Sequence, residues 1–395
     1  MLNMGQSLAK IADLLRKSDR KVQLIYAFNG TGKTRLSREF KRLIAPKIVE
    51  DDDCEEQIEV ARTKILYYNA FTEDLFYWDN DLETDLEPKL KIQSNTYTHW
   101  LMTLLQNLGE DGNIIKYFQR YANDKLTPRF NEEYTSKNSD GHDVIVKAFS
   151  EVTFSLERGN NDHLGNLKIS KGEESNFIWS VFYTLLDQVI SVLNVADLTD
   201  RITDEFNQLE YIFIDDPVSS LDENHLMQLA VNLGHLIKSS ESNIKFIIST
   251  HSALFYNVLY NEISAKSGYI LSGFEDGTFE LETKQGDSNQ SFSYHLHIKS
   301  LIEQAIKDNN VQRYHFALLR NLYEKTANFL GYKRWSDILP GDQKAYAKRV
   351  MNFYPHNTLS NEEIAEPTAP EKAMVNLLLK NLNQYGYFQQ EEQNG

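Results

Sequence analysis

Apolar side chains recur at helical spacing from Phe177 to Leu193, which predicts a helix there. Three shorter runs have a different character. Val22–Tyr26, Tyr211–Ile214 and Ile244–Ile248 are compact, β-prone stretches bounded by turn or acidic residues. They read as central strands of a mostly parallel sheet. Ile65–Tyr68 is a further short strand candidate. Helical alternation is also present over Met1–Asp19, Thr34–Leu43 and residues 95–125, the last with apolar positions at Trp100, Leu101, Leu104, Leu105 and Leu108. The polar stretch Asn131–Gly141 predicts a surface loop. Past residue 265 the pattern changes: a hairpin over Tyr269–Thr283 and a polar turn precede long helical patterns from Leu296 onward. The expected organisation is therefore an α/β domain over residues 1–265, with a helical insertion at about 75–165, and a largely helical domain over 266–395.

Composition narrows the class. Apolar residues make up 41% and charged residues 25% of 395, as in soluble globular proteins. The single cysteine, Cys54, lies in the acidic run Glu50–Glu56 and cannot form an internal disulfide. With no secretory signal and no segment of membrane-spanning length, a cytoplasmic protein without a membrane partner is expected. The net charge of −16 opposes nonspecific nucleic-acid binding, but it is unevenly spread. Lys299–His356 carries ten Lys/Arg against five Asp/Glu, so the rest of the chain holds −21. That asymmetry points to an anionic ligand at the C-terminal end, although a solvated helical surface has the same composition.

Candidate chemistry begins at Ala27-Phe28-Asn29-Gly30-Thr31-Gly32-Lys33-Thr34, a P-loop with alanine at the first glycine position. Glycines let backbone N–H groups close around phosphates, and the following helix turns its positive end toward them. Lys33 can reach the β- and γ-phosphates, and Thr34 can ligate Mg²⁺. The strand Tyr211–Ile214 ends in Asp215-Asp216-Pro217. Asp215 occupies the position of a Mg²⁺-holding aspartate, and Asp216 that of the group that polarises the attacking water. Val218–Asp222 follows as a candidate D-loop. Ser170, Lys171 and Gly172 open the helix that contains Phe177–Leu193, and His251 closes a strand.

P-loop, signature, paired aspartates and switch histidine occur in the order of the ABC ATPase superfamily, which residues 20–255 resemble. The usual signature is Leu-Ser-Gly-Gly-Gln, and the usual second acid is glutamate, so Asp216 is one methylene short. About 135 residues separate P-loop and signature, as in stand-alone members rather than transporters. The resemblance implies ATP or GTP with Mg²⁺, bound by Asn29, Gly30, Gly32, Lys33, Thr34, Asp215, Asp216 and His251. It also implies that Ser170 and Gly172 cap a second subunit's nucleotide. A homodimer or higher even oligomer follows.

In the C-terminal third, Arg320 and Glu324 share one face of a helical run from Arg313 to Phe329, and His356 lies in the loop-like Phe353–Asn357. An Arg/Glu pair at this spacing is most often a surface salt bridge. Here the chain resembles the PrrC-type bacterial anticodon nucleases over nearly all its length. The resemblance is carried by Val22–Thr34, Ile65–Asn80, Ser170–Ser180, Gly286–Asn289 and Arg320–Lys325. It implies a ribonuclease triad of Arg320, Glu324 and His356, and anticodon recognition by Lys284–Tyr294, including Lys284, Asp287 and Ser288. Gln285 and Gln290 depart from the aromatic and basic residues expected there.

The substrate implied is a lysine tRNA cut 5′ of the wobble base. Metal-independent cleavage needs a base, an acid and a cation. Arg320 fits the cation; Glu324 and His356 are base and acid in either order, and the products are a 2′,3′-cyclic phosphate and a 5′-OH. Phe292, Tyr294 and Tyr323 are aromatic residues on which bases could stack. The resemblance further implies silencing by a type I restriction–modification complex, and dTTP as a second effector. The rivals are an SMC-like DNA-repair ATPase, a defence ATPase that recruits a separate nuclease, and a transporter subunit. No heptad arms support the first, and the long C-terminal region opposes the last.

Overall fold

The computed structural model describes residues 5–46, 63–79, 88–122, 124–137, 142–158, 162–164, 166–217, 223–274, 276–285, 294–341, 344–356 and 367–385. The chain divides into two compact units, Met1–Gly286 and Asp287–Gly395. The first unit opens with α1 (Leu8–Lys17), β1 (Val22–Tyr26), α2 (Lys33–Ile44), β2 (Ile65–Tyr68), β3 (Phe76–Asp79) and β4 (Lys89–Ile92). Next come α3 (Thr96–Asn107), α4 (Asp111–Tyr121), β5 (Leu126–Phe130), β6 (Tyr134–Lys137), β7 (Asp143–Val146), β8 (Glu151–Arg158) and β9 (Asp162–Leu164). It closes with α5 (Lys171–Asn194), β10 (Tyr211–Asp215), α6 (Glu223–Ser239), β11 (Lys245–Thr250), α7 (Ala253–Glu262), β12 (Ser267–Gly273) and β13 (Phe279–Gln285).

The main sheet has six strands in the order β13-β12-β1-β11-β10-β2, parallel except for β13. Its central strands are buried apolar runs because helices cover both faces. On one face α1 and α2 bring Leu8, Ile11, Leu15, Leu36 and Phe40 against Ile25, Phe213 and Ile247. On the other, Tyr68 meets Trp179 and Phe182 of α5 at ring-centroid distances of 5.3 and 4.6 Å. The register brings the strand ends level: Tyr26 lies beside Thr250, Asp215 beside Ser249, and Ile214 beside Tyr68. Four strand ends therefore meet at one edge of the sheet, the edge at which open α/β sheets bind ligands. Helix α5 is long and apolar enough to cross a membrane. Its side chains are instead buried within the unit, as a helix hydrophobic all round requires.

Three expectations change. The insertion at 75–165 is not chiefly helical: β3, β4, β8, β5 and β9 form an antiparallel five-stranded sheet, and only α3 and α4 are helices among its described residues. The two helices are separated at Gly109, whose φ of 69° stops α3. The predicted loop at 131–141 contains β6, which pairs with β7 in a hairpin. The domain boundary lies at Gly286, not near 265, because β12 hydrogen-bonds to β1 and so extends the main sheet, with β13 beyond it.

The second unit consists of α8 (Tyr294–Lys307), α9 (Arg313–Phe329), α10 (Lys344–His356) and α11 (Ala369–Asn383), with a 3₁₀ turn at Trp335–Ile338. Ile302, Phe316, Leu319, Tyr323, Met351, Val375 and Leu378 are among its core residues. Asn381 Nδ2 donates to the Tyr323 hydroxyl at 3.1 Å and to Ile338 O at 3.1 Å, tying α11 to α9 and the 3₁₀ turn.

Candidate functional site

β1 delivers the chain into the P-loop as a buried strand, and two glycines make the turn. Gly30 and Gly32 have φ of 81° and 96°, a region that residues with a Cβ rarely enter. A Cβ on Gly30 would meet nothing within 4 Å, so the loop is open to an incoming group on that side. On Gly32 it would stand 3.2 Å from the Phe279 ring of β13, which also carries the Arg35 guanidinium at 5.1 Å. Gly32 caps α2 with no side-chain hydrogen bond, leaving the first-turn N–H groups available to an anion. Lys33 is buried, its Nζ donating to Ala27 O at 3.2 Å, Phe28 O at 3.3 Å and Asn29 Oδ1 at 3.3 Å.

At the end of β10, Asp215 is fully buried and accepts a hydrogen bond from Ser249 Oγ at 2.6 Å. Burial raises its carboxyl above the usual aspartate range; hydrogen bonds from Ser249 and Thr34 oppose that rise, and the neighbouring Asp216 adds to it. Asp216 leaves the strand with φ of 55°. That left-handed step carries its carboxylate to 2.6–2.7 Å from His251 Nδ1 and 3.5 Å from Lys33 Nζ. Lys33, Asp216 and His251 thus form one cluster, with Asp215 behind it. Thr34 and Asp215 supply hard oxygen donors, a set that fits Mg²⁺ held jointly with nucleotide phosphates and water.

Sequence reasoning passed over three residues here. Ser37 Oγ lies 2.6 Å from the Tyr67 hydroxyl and donates to Asp215 Oδ2 at 3.5 Å, and Asn69 Nδ2 donates to the same tyrosine at 2.9 Å. Asn69 is buried at the carboxyl end of β2. Only the β2–β10 pairing, invisible in the linear order, brings it beside Asp215.

Ser170 is the N-cap of α5 in a reciprocal capping box. Its hydroxyl accepts from Glu173 N at 3.3 Å, while Glu173 Oε2 accepts from Ser170 N at 2.8 Å and Ser170 Oγ at 2.7 Å. Gly172 lies in the first turn. Glu174, buried, accepts from Trp78 Nε1 at 2.9 Å and from Lys171 Nζ at 2.6 Å, which pins the start of α5 to β3. The candidate D-loop lies outside the described residues.

In the second unit Arg320 Nε donates to Glu324 Oε1 at 2.9 Å across one turn of α9. The arginine side chain is 22% exposed and the glutamate 42%. The guanidinium also rests over the Trp335 ring at 5.5 Å. His356 is the last residue of α10 rather than part of a loop, and its side chain lies outside the described residues. Asp287, Ser288 and Phe292 lie outside them too, as does the side chain of Tyr294. Lys284 belongs to β13 instead of a polar turn, pairs with Gly268, and is 7% exposed with its Nζ 5.9 Å from the Tyr256 ring. Tyr323 is fully buried and donates to Leu378 O at 2.9 Å, so it is core and offers no stacking face.

No family model matches the chain. Among solved structures, an Smc head bound to the C-terminal winged-helix domain of ScpA resembles it at a TM-score of 0.38 and 11% identity, over 69% of this chain and 93% of that one. The RNase-L Inhibitor gives 0.32 and 14%, over 74% and 42%. Both likenesses are loose, and the ABC-type α/β reading rests on the order of the motifs and the register that gathers them at one sheet edge. A curated protein from Escherichia coli, "Anticodon nuclease", is 61% identical over 99% of this chain and 100% of its own length. Similarity that dense runs through the P-loop unit and the helical unit alike, and it makes this chain a member of the anticodon nuclease family.

Proposed function

We propose that the chain is a nucleotide-gated endoribonuclease that cuts a lysine tRNA on the 5′ side of the wobble base. The observation that carries this reading is the 61% identity over essentially the whole chain to a protein named for anticodon cleavage. The second unit performs the cut. The ribose 2′-OH attacks the adjacent phosphorus as a base takes its proton; the P–O5′ bond breaks, and the 5′-oxygen takes a proton from an acid. A 2′,3′-cyclic phosphate and a 5′-OH result. Glu324 and His356 share the base and acid roles, and Arg320 offsets charge on the phosphorane. Asp287 and Ser288 contribute to reading the anticodon; Lys284, being buried, supports that segment rather than touching RNA.

The first unit binds ATP or GTP with Mg²⁺ on Thr34 and Asp215. When bound, Mg²⁺ neutralises phosphate charge. Lys33, which donates to loop carbonyls in the structure, would hold phosphate oxygens, and His251, held by Asp216, would supply a contact to the terminal phosphate. Ser170 and Gly172, on the exposed start of α5, complete the site of a second copy, so dimerisation follows nucleotide. In the cytoplasm, a type I restriction–modification complex holds the nuclease silent until phage interference releases it, and dTTP acts as a second effector.

The test is to express the full chain and its His356→Ala variant in cells and map tRNA ends. Breaks in the lysine tRNA anticodon loop that disappear in the variant are expected. Intact tRNA in cells poisoned by the wild-type chain would overturn the reading in favour of an ATPase that recruits a separate nuclease.

A further inference from the structure

We infer that the segment Tyr332-Lys333-Arg334-Trp335 is an RNA-binding rim of the second unit. Lys333 and Arg334 take backbone phosphates, Tyr332 takes an unstacked base, and Trp335 positions Arg320. The inference rests on the ribonuclease reading and extends it to residues that neither the sequence motifs nor the comparisons mark.

Three observations support it. The segment is rigidly presented. Helix α9 ends in a Schellman motif: Gly331 has φ of 78°, Tyr332 N donates to Ala327 O at 2.8 Å, and Gly331 N donates to Asn328 O at 3.1 Å. Four residues later the 3₁₀ turn sinks Ser336, Ile338 and Leu339 into the core. Between these anchors Tyr332, Lys333 and Arg334 are exposed, the tyrosine by 45%. Second, the segment touches the candidate catalytic pair. Trp335 packs against the helical core and holds the Arg320 guanidinium over its ring at 5.5 Å, while Glu324 accepts from Nε at 2.9 Å. The tryptophan ring and the carboxylate together restrain the guanidinium, which must meet a phosphate with defined geometry. Third, the residue types match the ligand. Two adjacent cations and an exposed aromatic ring are what a single-stranded ribonucleotide requires, with its phosphate on one side and its base face on the other. The nearest acid in sequence, Asp337, lies 3.4 Å from Lys344, which offsets its repulsion of an RNA phosphate.

The experiment uses the full-length chain and the anticodon stem-loop RNA that the wild type cuts. Binding and cleavage are measured across a range of salt concentration for Lys333→Gln/Arg334→Gln, Tyr332→Leu, Trp335→Phe and Trp335→Leu. For the double variant, the slope of log affinity against log salt should flatten by about 1.4, the value for two lost phosphate contacts on a single strand. Tyr332→Leu should weaken binding roughly 5- to 100-fold with little change in salt slope. Trp335→Leu should lower kcat by about 100-fold with KM nearly unchanged, and Trp335→Phe should restore most of it. Unchanged affinity and salt slope in the double variant would overturn the inference. So would equal kcat in Trp335→Leu and the wild type. Should the wild type cut no tRNA, the ribonuclease reading fails instead, and filter binding of a lysine-tRNA anticodon stem-loop to the wild type and the double variant still tests the rim, equal binding overturning it.

Discussion

At the P-loop, chemistry is held by backbone and burial: two left-handed glycines shape the cradle, and Lys33 and Asp215 are withdrawn from water before any ligand arrives. On α9, Arg320 and Glu324 are both partly exposed, the arginine donating to the glutamate and lying over the Trp335 ring. Anion binding by backbone N–H groups demands consecutive residues in fixed conformations, so stability and function share the same atoms in the first unit. The transesterification proposed for the second unit would need only side chains brought to one place on a helical scaffold, so there the two can separate.

The sharpest test of that separation compares Tyr323→Ala with Arg320→Ala. Removing the buried tyrosine should cost about 3–5 kcal/mol of stability in the helical unit, read by denaturant unfolding. Removing the arginine should cost less than about 1 kcal/mol. Equal costs would show that the surface pair also holds the unit together. Gly32→Ala should cost the first unit about 1–2 kcal/mol from backbone strain alone, with weakened nucleotide binding in calorimetry. Combining it with Phe279→Leu should relieve the ring contact and leave the backbone penalty. If the combined variant regains full stability, sterics rather than conformation set the glycine requirement. Ser170→Ala should lower stability by about 1 kcal/mol through the lost cap, and Ser170→Asn should recover most of it in thermal melts.

The smallest effect is expected from pH. Burial holds the Asp215 carboxyl above the usual aspartate range. A carboxyl raised by folding destabilises the protein once ionised, so metal-free stability falls as pH rises through the raised value and returns on acidification. Mg²⁺–nucleotide needs the ionised form, so its affinity should fall as pH drops through that same value, above the normal aspartate midpoint. Asp215→Asn should abolish this stability change; a pH profile identical to wild type would place the titration elsewhere.

Much of the first unit was legible because its strands are apolar runs and its phosphate cradle is contiguous in sequence. What escaped was tertiary. Val152 and Phe154 alternate with polar residues in β8, a period-two signal passed over inside a region read as helical. Ser37, Tyr67 and Asn69 meet Asp215 only through strand pairing. Lys284 looked like part of a polar turn because the end of β13, Glu282-Thr283-Lys284-Gln285, is polar throughout, and its burial comes from tertiary packing that leaves no mark in the sequence. In the second unit, Arg320 and Glu324 came from helical spacing and resemblance, but Trp335 had no signature. Its proximity to Arg320 depends on the chain reversing at Gly331.

The β12–β13 hairpin has a practical consequence for dissecting the chain. A fragment ending at residue 265 would discard the strand bonded to β1 and, with it, Tyr269, Leu271, Phe279 and Leu281 from the core beneath α1. The truncated piece would display an unprotected strand margin ready to pair with another copy, and would be prone to precipitate. An expression fragment of the first unit should therefore extend through Gln285, the last residue of β13.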